Sequence, residues 1–253
     1  MIKLSCVIIT FNEERNIGKC LESVKKVADE VVVIDSCSTD KTVEICKSYG
    51  ARVIDHPFEG YIEQKNYALN HASNQYVLSL DADEALSDTL INSILLVKEN
   101  WKCDGYTMNR LNNYCGKWIY HSGWYPDRKM RLFNKTKGSW KGVNPHDVFT
   151  LESGTTQEFL KGNLEHFSFS TVEEHISREK QFANIAASAL FKNGKKSGFI
   201  HVYMSPIFKF IRNYFLKLGF LDGYYGWVIS SISAKGTYWK YSKLKELQNN
   251  SLK

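Results

Sequence analysis

Apolar residues along the first hundred positions alternate between short solid runs and spaced stripes. Leu4–Phe11 is a solid run and predicts a strand buried on both faces. Asn12 then stands where a cap belongs, Glu13 and Glu14 suit the positive end of a helix, and Ile17, Leu21, Val24 and Ala28 form one stripe. Glu30–Asp35 predicts a second buried strand. Ser38 or Thr39 can cap a helix carrying Val43, Cys46 and Tyr49, and Gly50 supplies its stop. Arg52–Ile54 predicts a short third strand, Ile62–Ala72 a helix, and Tyr76–Leu80 a fourth strand ending at Asp81. Strands alternating with helices imply a parallel sheet covered on both faces. Ligands of such sheets bind at the carboxyl ends of the strands, where Thr10, Asn12, Asp35, Ser36, Asp81 and Asp83 fall here.

The pattern changes after residue 85. Ser87 caps a helix with Leu90, Ile91, Ile94 and Leu95, and residues 104–150 are aromatic-rich with short β-like runs, which predicts a mixed sheet with long loops. Thr171-Val172-Glu173-Glu174 is a capping box opening a helix that reaches about Leu190. Pro206 opens a further helix through Leu221, with Ile207, Phe208, Phe210, Ile211, Tyr214, Phe215, Leu218 and Leu221 on one broad face and Lys209, Arg212, Asn213 and Lys217 on the other. We expect one continuous domain over 1–195, with a first part at 1–100 and a second part at 101–195. An amphipathic basic extension covers 196–253.

Composition and charge sharpen this division. The chain has 253 residues, is 43% hydrophobic and carries a formal charge of +6, enough apolar material for a sizeable core. The charge is uneven. Residues 1–160 hold 19 Lys and Arg against 21 Asp and Glu, whereas residues 161–253 hold 14 against 6. A basic, aromatic-bearing tail with Lys235, Lys240, Lys243 and Lys245 beside Tyr238, Trp239 and Tyr241 suits an anionic membrane surface. The alternative is a helix packed on the domain with its lysines in water. No run reaches transmembrane length. Six cysteines form no CxxC pair and the N-terminus shows no secretory pattern, so a reduced, cytosolic setting is expected.

Asp81-Ala82-Asp83-Glu84 follows a buried strand. Three carboxylates within four residues repel one another and call for a nearby cation, such as a divalent metal shared with substrate phosphates. The competing reading is a solvated acidic turn. Asp35 ends the second strand, where a carboxylate can accept from a base or ribose, while Ser38, Thr39 and Asp40 suit helix capping. No GxGxxG follows the first strand, so a dinucleotide site is not expected.

Thr10-Phe11-Asn12-Glu13, Val33-Ile34-Asp35-Ser36 with Ser38-Thr39-Asp40, and Asp81-Ala82-Asp83-Glu84 together resemble the nucleotide-binding half of glycosyltransferase family 2. Gly60-Tyr61 with Gln64-Lys65-Asn66, Arg131-Leu132-Phe133, Pro145-His146-Asp147 and Phe220-Leu221-Asp222-Gly223 resemble its bacterial lipopolysaccharide-core subgroup, which includes a β-1,4-glucosyltransferase acting on inner-core heptose. The resemblance implies an α/β GT-A fold, a UDP-sugar donor, a divalent metal (Mg²⁺ or Mn²⁺) and inversion at the anomeric carbon. It implies that Thr10, Phe11, Glu13 and Asp35 line the uridine pocket and that Lys65 contacts the nucleotide or diphosphate. Asp81 would face the ribose or metal, and Asp83 would be the main metal ligand.

Inverting transfer needs one base for the acceptor hydroxyl proton. Asp147 is the first choice, standing where the subgroup often has Glu, with Glu84 as the competing carboxylate. His146 and Asp147 read equally well as a loop hydrogen-bond pair. His166 reads as a metal or phosphate contact or as a packed core histidine. Arg128 and Arg131 suit a diphosphate or an anionic acceptor, or plain ion pairing. Trp124, Tyr125 and Trp140 suit either a sugar platform or the core. The expected activity is hexosyl transfer, with glucose the leading sugar, to a lipopolysaccharide inner-core heptose. Another acceptor (capsule, lipid-linked glycan or protein) is the alternative within the family. A nucleotidyltransferase is the alternative outside it, against which the lack of a Gly-rich phosphate loop counts. Nucleic-acid binding finds no support in the acidic strand ends.

Overall fold

β1 (Leu4–Thr10) pairs in parallel with β2 (Glu30–Asp35) on one side and β4 (Tyr76–Asp81) on the other, and β3 (Arg52–Asp55) extends the sheet beyond β2. This is seen in a computed structural model that describes residues 1–144 and 146–251. Thr10 lies level with Asp35, and Ile9 with Asp81, so the three motifs end on one edge of the sheet. Side-chain alternation along β1 explains why the run is apolar throughout. Leu4, Cys6 and Ile8 pack with Ile17 and Leu21 of α1 (Ile17–Val24) and Ile94 of α4 (Asp88–Glu99). Val7 and Ile9 pack on the other face with Ala68 and Leu69 of α3 (Tyr61–His71). α2 (Thr42–Ser48) connects β2 to β3.

The sheet continues in mixed sense, as expected after residue 85. β8 (Asp127–Asn134) runs antiparallel to β4, and β6 (Gly105–Tyr114) antiparallel to β8. β11 (Gln157–Phe169) follows, and β5 (Glu84–Leu86) forms the edge, antiparallel to β11. That register sets Glu84 level with His166, 82 positions away in the chain. β9 (Gly138–Val143) and β10 (His146–Leu151) make a separate hairpin. Pro145, part of the Pro145-His146-Asp147 motif, lies outside the described residues. The result is the α/β architecture expected of a GT-A enzyme, a parallel nucleotide half running into mixed strands.

Two compact units divide the chain, residues 1–111 with 127–167, and residues 112–126 with 168 onward. The capping box of α5 (Val172–Lys192) forms as predicted, and the helix packs along α7 (Tyr224–Asn250). Within the second unit β7 (Lys117–Ile119) pairs with the end of β6. Tyr114 sits at the centre of an aromatic cluster with Trp124, Phe169, His175 and Tyr225. Buried Asp222 accepts from the backbone N–H groups of Tyr120 and His121 at 3.2 and 2.9 Å, anchoring that loop. All six cysteines are free.

Three local expectations are corrected. Asn12 does not cap α1; it takes a left-handed backbone (φ 52°), and the helix begins at Ile17. Its side chain instead accepts from the Thr39 N–H at 2.8 Å, fastening the loop after β1 to the loop after β2. The strand stops at Thr10, leaving Phe11 exposed. The helix expected over Pro206–Leu221 is short, α6 (Ser205–Ile211), flanked by wider turns at Ile200–Met204 and Arg212–Leu216 and ended by Leu218 at φ 54°.

Candidate active site

Everything in the catalytic arrangement described here belongs to the first unit. Gly60 starts α3 with φ 151°, a backbone open to glycine, and a Cβ there would collide with the side chains of Glu63 and Asn144. One turn on, α3 carries Lys65, whose side chain is only 2% exposed. Its Nζ lies 2.9 Å from Asp81 Oδ1 and 2.7 Å from Asp147 Oδ2, so one ammonium joins the end of β4 to the start of β10. Arg131 on β8 donates through one nitrogen to Asp81 Oδ2 at 2.9 Å and to Glu84 Oε1 at 2.8 Å. Both cations lie over the Trp140 ring, at 4.6 and 5.4 Å from its centroid.

The electrostatics follow from these contacts. Burial opposes ionisation of Asp81, but Lys65 and Arg131 overcome it and hold the carboxyl well below the usual carboxylate range. Burial also works against the Arg131 charge, and Glu84 and Asp81 reverse that, raising its pKa above the ordinary arginine value. The acidic turn is therefore not solvated: two buried cations already neutralise two of its three carboxylates.

Asp83 is handled differently. Its Oδ2 lies 3.1 Å from His166 Nε2, an outcome of the β5–β11 register. Burial opposes its ionisation and the imidazole offsets this, so its pKa is lowered. One carboxylate and one imidazole, both partly exposed, form a donor pair suited to a divalent ion that takes its other ligands from water and diphosphate. Among the described residues no cluster of three or more His, Cys, Asp or Glu is arranged to hold a metal. The chemistry of the pair fits a shared ion rather than an enclosed one. Of the two expected metal residues, Asp83 has this partner, whereas Asp81 is engaged by cations.

The nucleotide residues expected at the strand ends are brought together. Thr10 is buried and its Oγ1 has no hydrogen-bond partner, an orphan at the place where a ligand is expected. Asp35 is buried too, but Ser38 occupies it: Oδ2 accepts from the Ser38 N–H at 2.7 Å and Oδ1 from the hydroxyl at 2.5 Å. Neither Ser38 nor Thr39 caps the helix after β2, which begins at Thr42 with Lys41 before it and no side-chain cap; the Ser38 hydroxyl accepts from the Asn12 N–H instead, and Asp40 makes the turn, accepting from the N–H groups of Glu14 and Thr42. The Glu13 side chain accepts from Asn16 Nδ2 at 2.9 Å.

Several candidates are placed elsewhere. Glu84 is 0% exposed and accepts from the Asp81 N–H at 3.0 Å as well as from Arg131, so it orients the turn and does not face an acceptor. Trp140 is core, packed with Phe133 and Phe149. Trp124 lies in the aromatic cluster of the second unit. Arg128 is exposed and stacks over Phe159 at 4.8 Å, and His146 is exposed at the start of β10.

Two participants were missed. Arg110 on β6 pairs with Asp127 at 2.8 Å and reaches Glu84 at 3.7 Å. Gln64, fully buried, holds the Ser36 hydroxyl at 3.0 Å and His56 Nδ1 at 2.8 Å. Gln64 lay within a quoted motif; Arg110 had no sequence signal, because only strand pairing brings it to the turn.

Comparison with known proteins agrees with this geometry. The profile described as Glycosyl transferase family 2 matches residues 5–161. An uncharacterized glycosyltransferase of Rickettsia typhi is 33% identical, over 99% of this chain and 89% of its own length. A lipopolysaccharide core biosynthesis glycosyltransferase, LpsC of Rhizobium meliloti, is 28% identical over 95% and 94%. Among solved structures, S. aureus TarS 1–349 in complex with UDP aligns over 98% of this chain and 92% of that one at 16% identity, with a TM-score of 0.47. With the profile covering most of the chain and the three motifs meeting on one sheet edge, this protein is a glycosyltransferase and belongs to glycosyl transferase family 2.

Proposed function

We propose that the protein transfers a hexose, glucose being the leading candidate, from a UDP-sugar to a lipopolysaccharide inner-core heptose with inversion at the anomeric carbon, and that it works at the inner face of the cytoplasmic membrane. The observation that carries the donor half is the Asp83–His166 pair set beside a cation-held Asp81 on the edge where Thr10 keeps an unpaired hydroxyl. The acceptor half is supported by the likeness to LpsC.

In this reading Thr10, Phe11, Glu13 and Asp35 receive the uridine, with Ser38 holding Asp35 in place. Asp83 and His166 would hold a divalent ion, which when bound would supply charge neutralisation for the departing diphosphate. Arg131 and Lys65 keep Asp81 ionised and fixed. Asp147 is the base. Lys65 occupies its Oδ2, and Oδ1 takes the proton of the acceptor hydroxyl. The acceptor oxygen forms the new bond to the anomeric carbon as the bond to the UDP oxygen breaks, and the proton ends on Asp147.

The test is UDP release from UDP-glucose, UDP-galactose and UDP-N-acetylglucosamine with and without a heptose-containing core acceptor. Acceptor-stimulated release with one sugar, and an inverted linkage in the product, support the reading. Asp147→Asn with near-normal turnover would remove the base assignment; release equal with and without the heptose core would remove the acceptor.

A further inference from the structure

The segment between α5 and α7 leaves much of its apolar surface outside. α6 packs along α7 with Pro206, Lys209 and Phe210 only half-buried, and in the turn that follows it the buried position is Asn213. The large apolar residues point to solvent instead: Phe208 is 62% exposed, Leu216 73% and Leu221 57%, with Phe199, Phe215 and Tyr224 exposed as well. A water-facing helix of a globular protein shows the opposite arrangement, and contiguous exposed apolar surface of this kind marks an interaction site. The tip is held in shape at a cost, since Leu218 takes a left-handed backbone that disfavours a bulky residue.

Charge identifies the partner. Residues 199–224 contain Lys209, Arg212 and Lys217 against a single acidic residue, Asp222, which is buried. Two copies of this chain meeting through the face would bring like charges together, since a two-fold contact presents the same patch from both sides. An anionic lipid leaflet complements the cations and accepts the apolar side chains. Among the described residues no helix is long and apolar enough to cross a bilayer.

We infer that residues 199–224 form a surface that docks on anionic lipid, with Phe208, Phe215, Leu216 and Leu221 entering the headgroup boundary and the exposed Arg212 and Lys217 meeting lipid phosphates. The inference gives the membrane contact of the proposed reading a definite surface and rests on that reading only for its purpose.

The experiment is flotation of the full-length protein with vesicles of phosphatidylcholine alone or with a third phosphatidylglycerol, at low and high salt. The expected result is binding to the anionic vesicles that weakens with salt. Leu216→Glu should lower the partition coefficient about tenfold or more, through lost apolar burial. Lys217→Ser should lower it about fivefold on anionic vesicles only. Because Leu216 is exposed, the thermal midpoint of the Glu variant should match the parent, and release of UDP with a lipid-free acceptor sugar should be unchanged.

Equal binding by Leu216→Glu, or equal binding to neutral and anionic vesicles, overturns the inference. So does a parent dimer that Leu216→Glu dissociates without vesicle binding in either protein. Failure of UDP release in every protein would overturn the functional reading and leave the vesicle result to stand alone.

Discussion

Replacing Lys65 by Met removes the ammonium that joins Asp81 to Asp147 while keeping most of the side-chain volume against Trp140. Asp81 keeps Arg131 at 2.9 Å, but Asp147, only 11% exposed, loses its ion-pair partner. Breaking a buried pair from one side costs about 3–5 kcal/mol, and the remaining Arg131 contact places this case near 3 kcal/mol. For a chain of this size that is a fall in thermal midpoint of roughly 6–12 °C. The sharper assay is a double-mutant cycle in urea with Asp147→Asn. The double variant leaves no uncompensated charge on Asp147, so it should be more stable than the sum of the single losses predicts, by about 1.5 kcal/mol or more. A coupling below about 0.5 kcal/mol would refute the account of Lys65 as the link between α3, β4 and β10.

Three further outcomes follow from other parts of the molecule. Burial, helped by Arg178, lowers the pKa of His175 to about 4. The unfolded chain then binds this proton from about pH 6.5 while the folded one waits until about 4, and stability falls across that window as pH drops; thermal midpoints should show it, and His175→Gln should remove that part. Glu30 works at lower pH. Burial opposes its ionisation, but hydrogen bonds from Ser5, Ser73 and Arg52 take its pKa to about 2, so its contribution is complete above about pH 4.5 and is lost as pH falls toward 2. Glu30→Gln should therefore destabilise at pH 7 and converge with the parent near pH 2 in urea unfolding. Gly226→Ala, normally favourable in a helix, should cost about 1–3 kcal/mol in the same assay, because its Cβ would strike the Gly219 carbonyl and Asp222.

What could be read from the sequence depended on how local its cause was. β1, β2 and β4 were legible because each is an apolar run closed by polar residues, although β1 stops one residue early at Thr10; β3 is a short, partly exposed strand read from Val53 and Ile54 alone. The motifs at their ends were legible for the same reason, since a parallel sheet brings all carboxyl ends to one edge. His166 was undecided between ligand and core because its partner depends on the register of β5 with β11. Arg110 and the stacking of Lys65 and Arg131 over Trp140 were invisible, being products of pairing between distant strands. The acidic turn was misread in one respect. Its repulsion does require cations, as expected, but Lys65 and Arg131 supply most of them, which leaves Asp83 alone to face an ion. The single helix expected over Pro206–Leu221 is interrupted by wider turns around α6, whose inner side, with Lys209 and Phe210 half-buried, packs along α7.

The central claim is a nucleotide-diphosphate site on the strand edge completed by Asp83 and His166, and calorimetric titration of the protein with UDP in the presence of Mn²⁺ or EDTA tests it most directly. The account predicts Mn²⁺-dependent binding that Asp83→Ala and His166→Ala each weaken by at least about tenfold, the scale of a lost charge-assisted contact. UDP binding that is indifferent to EDTA and to both substitutions would contradict it.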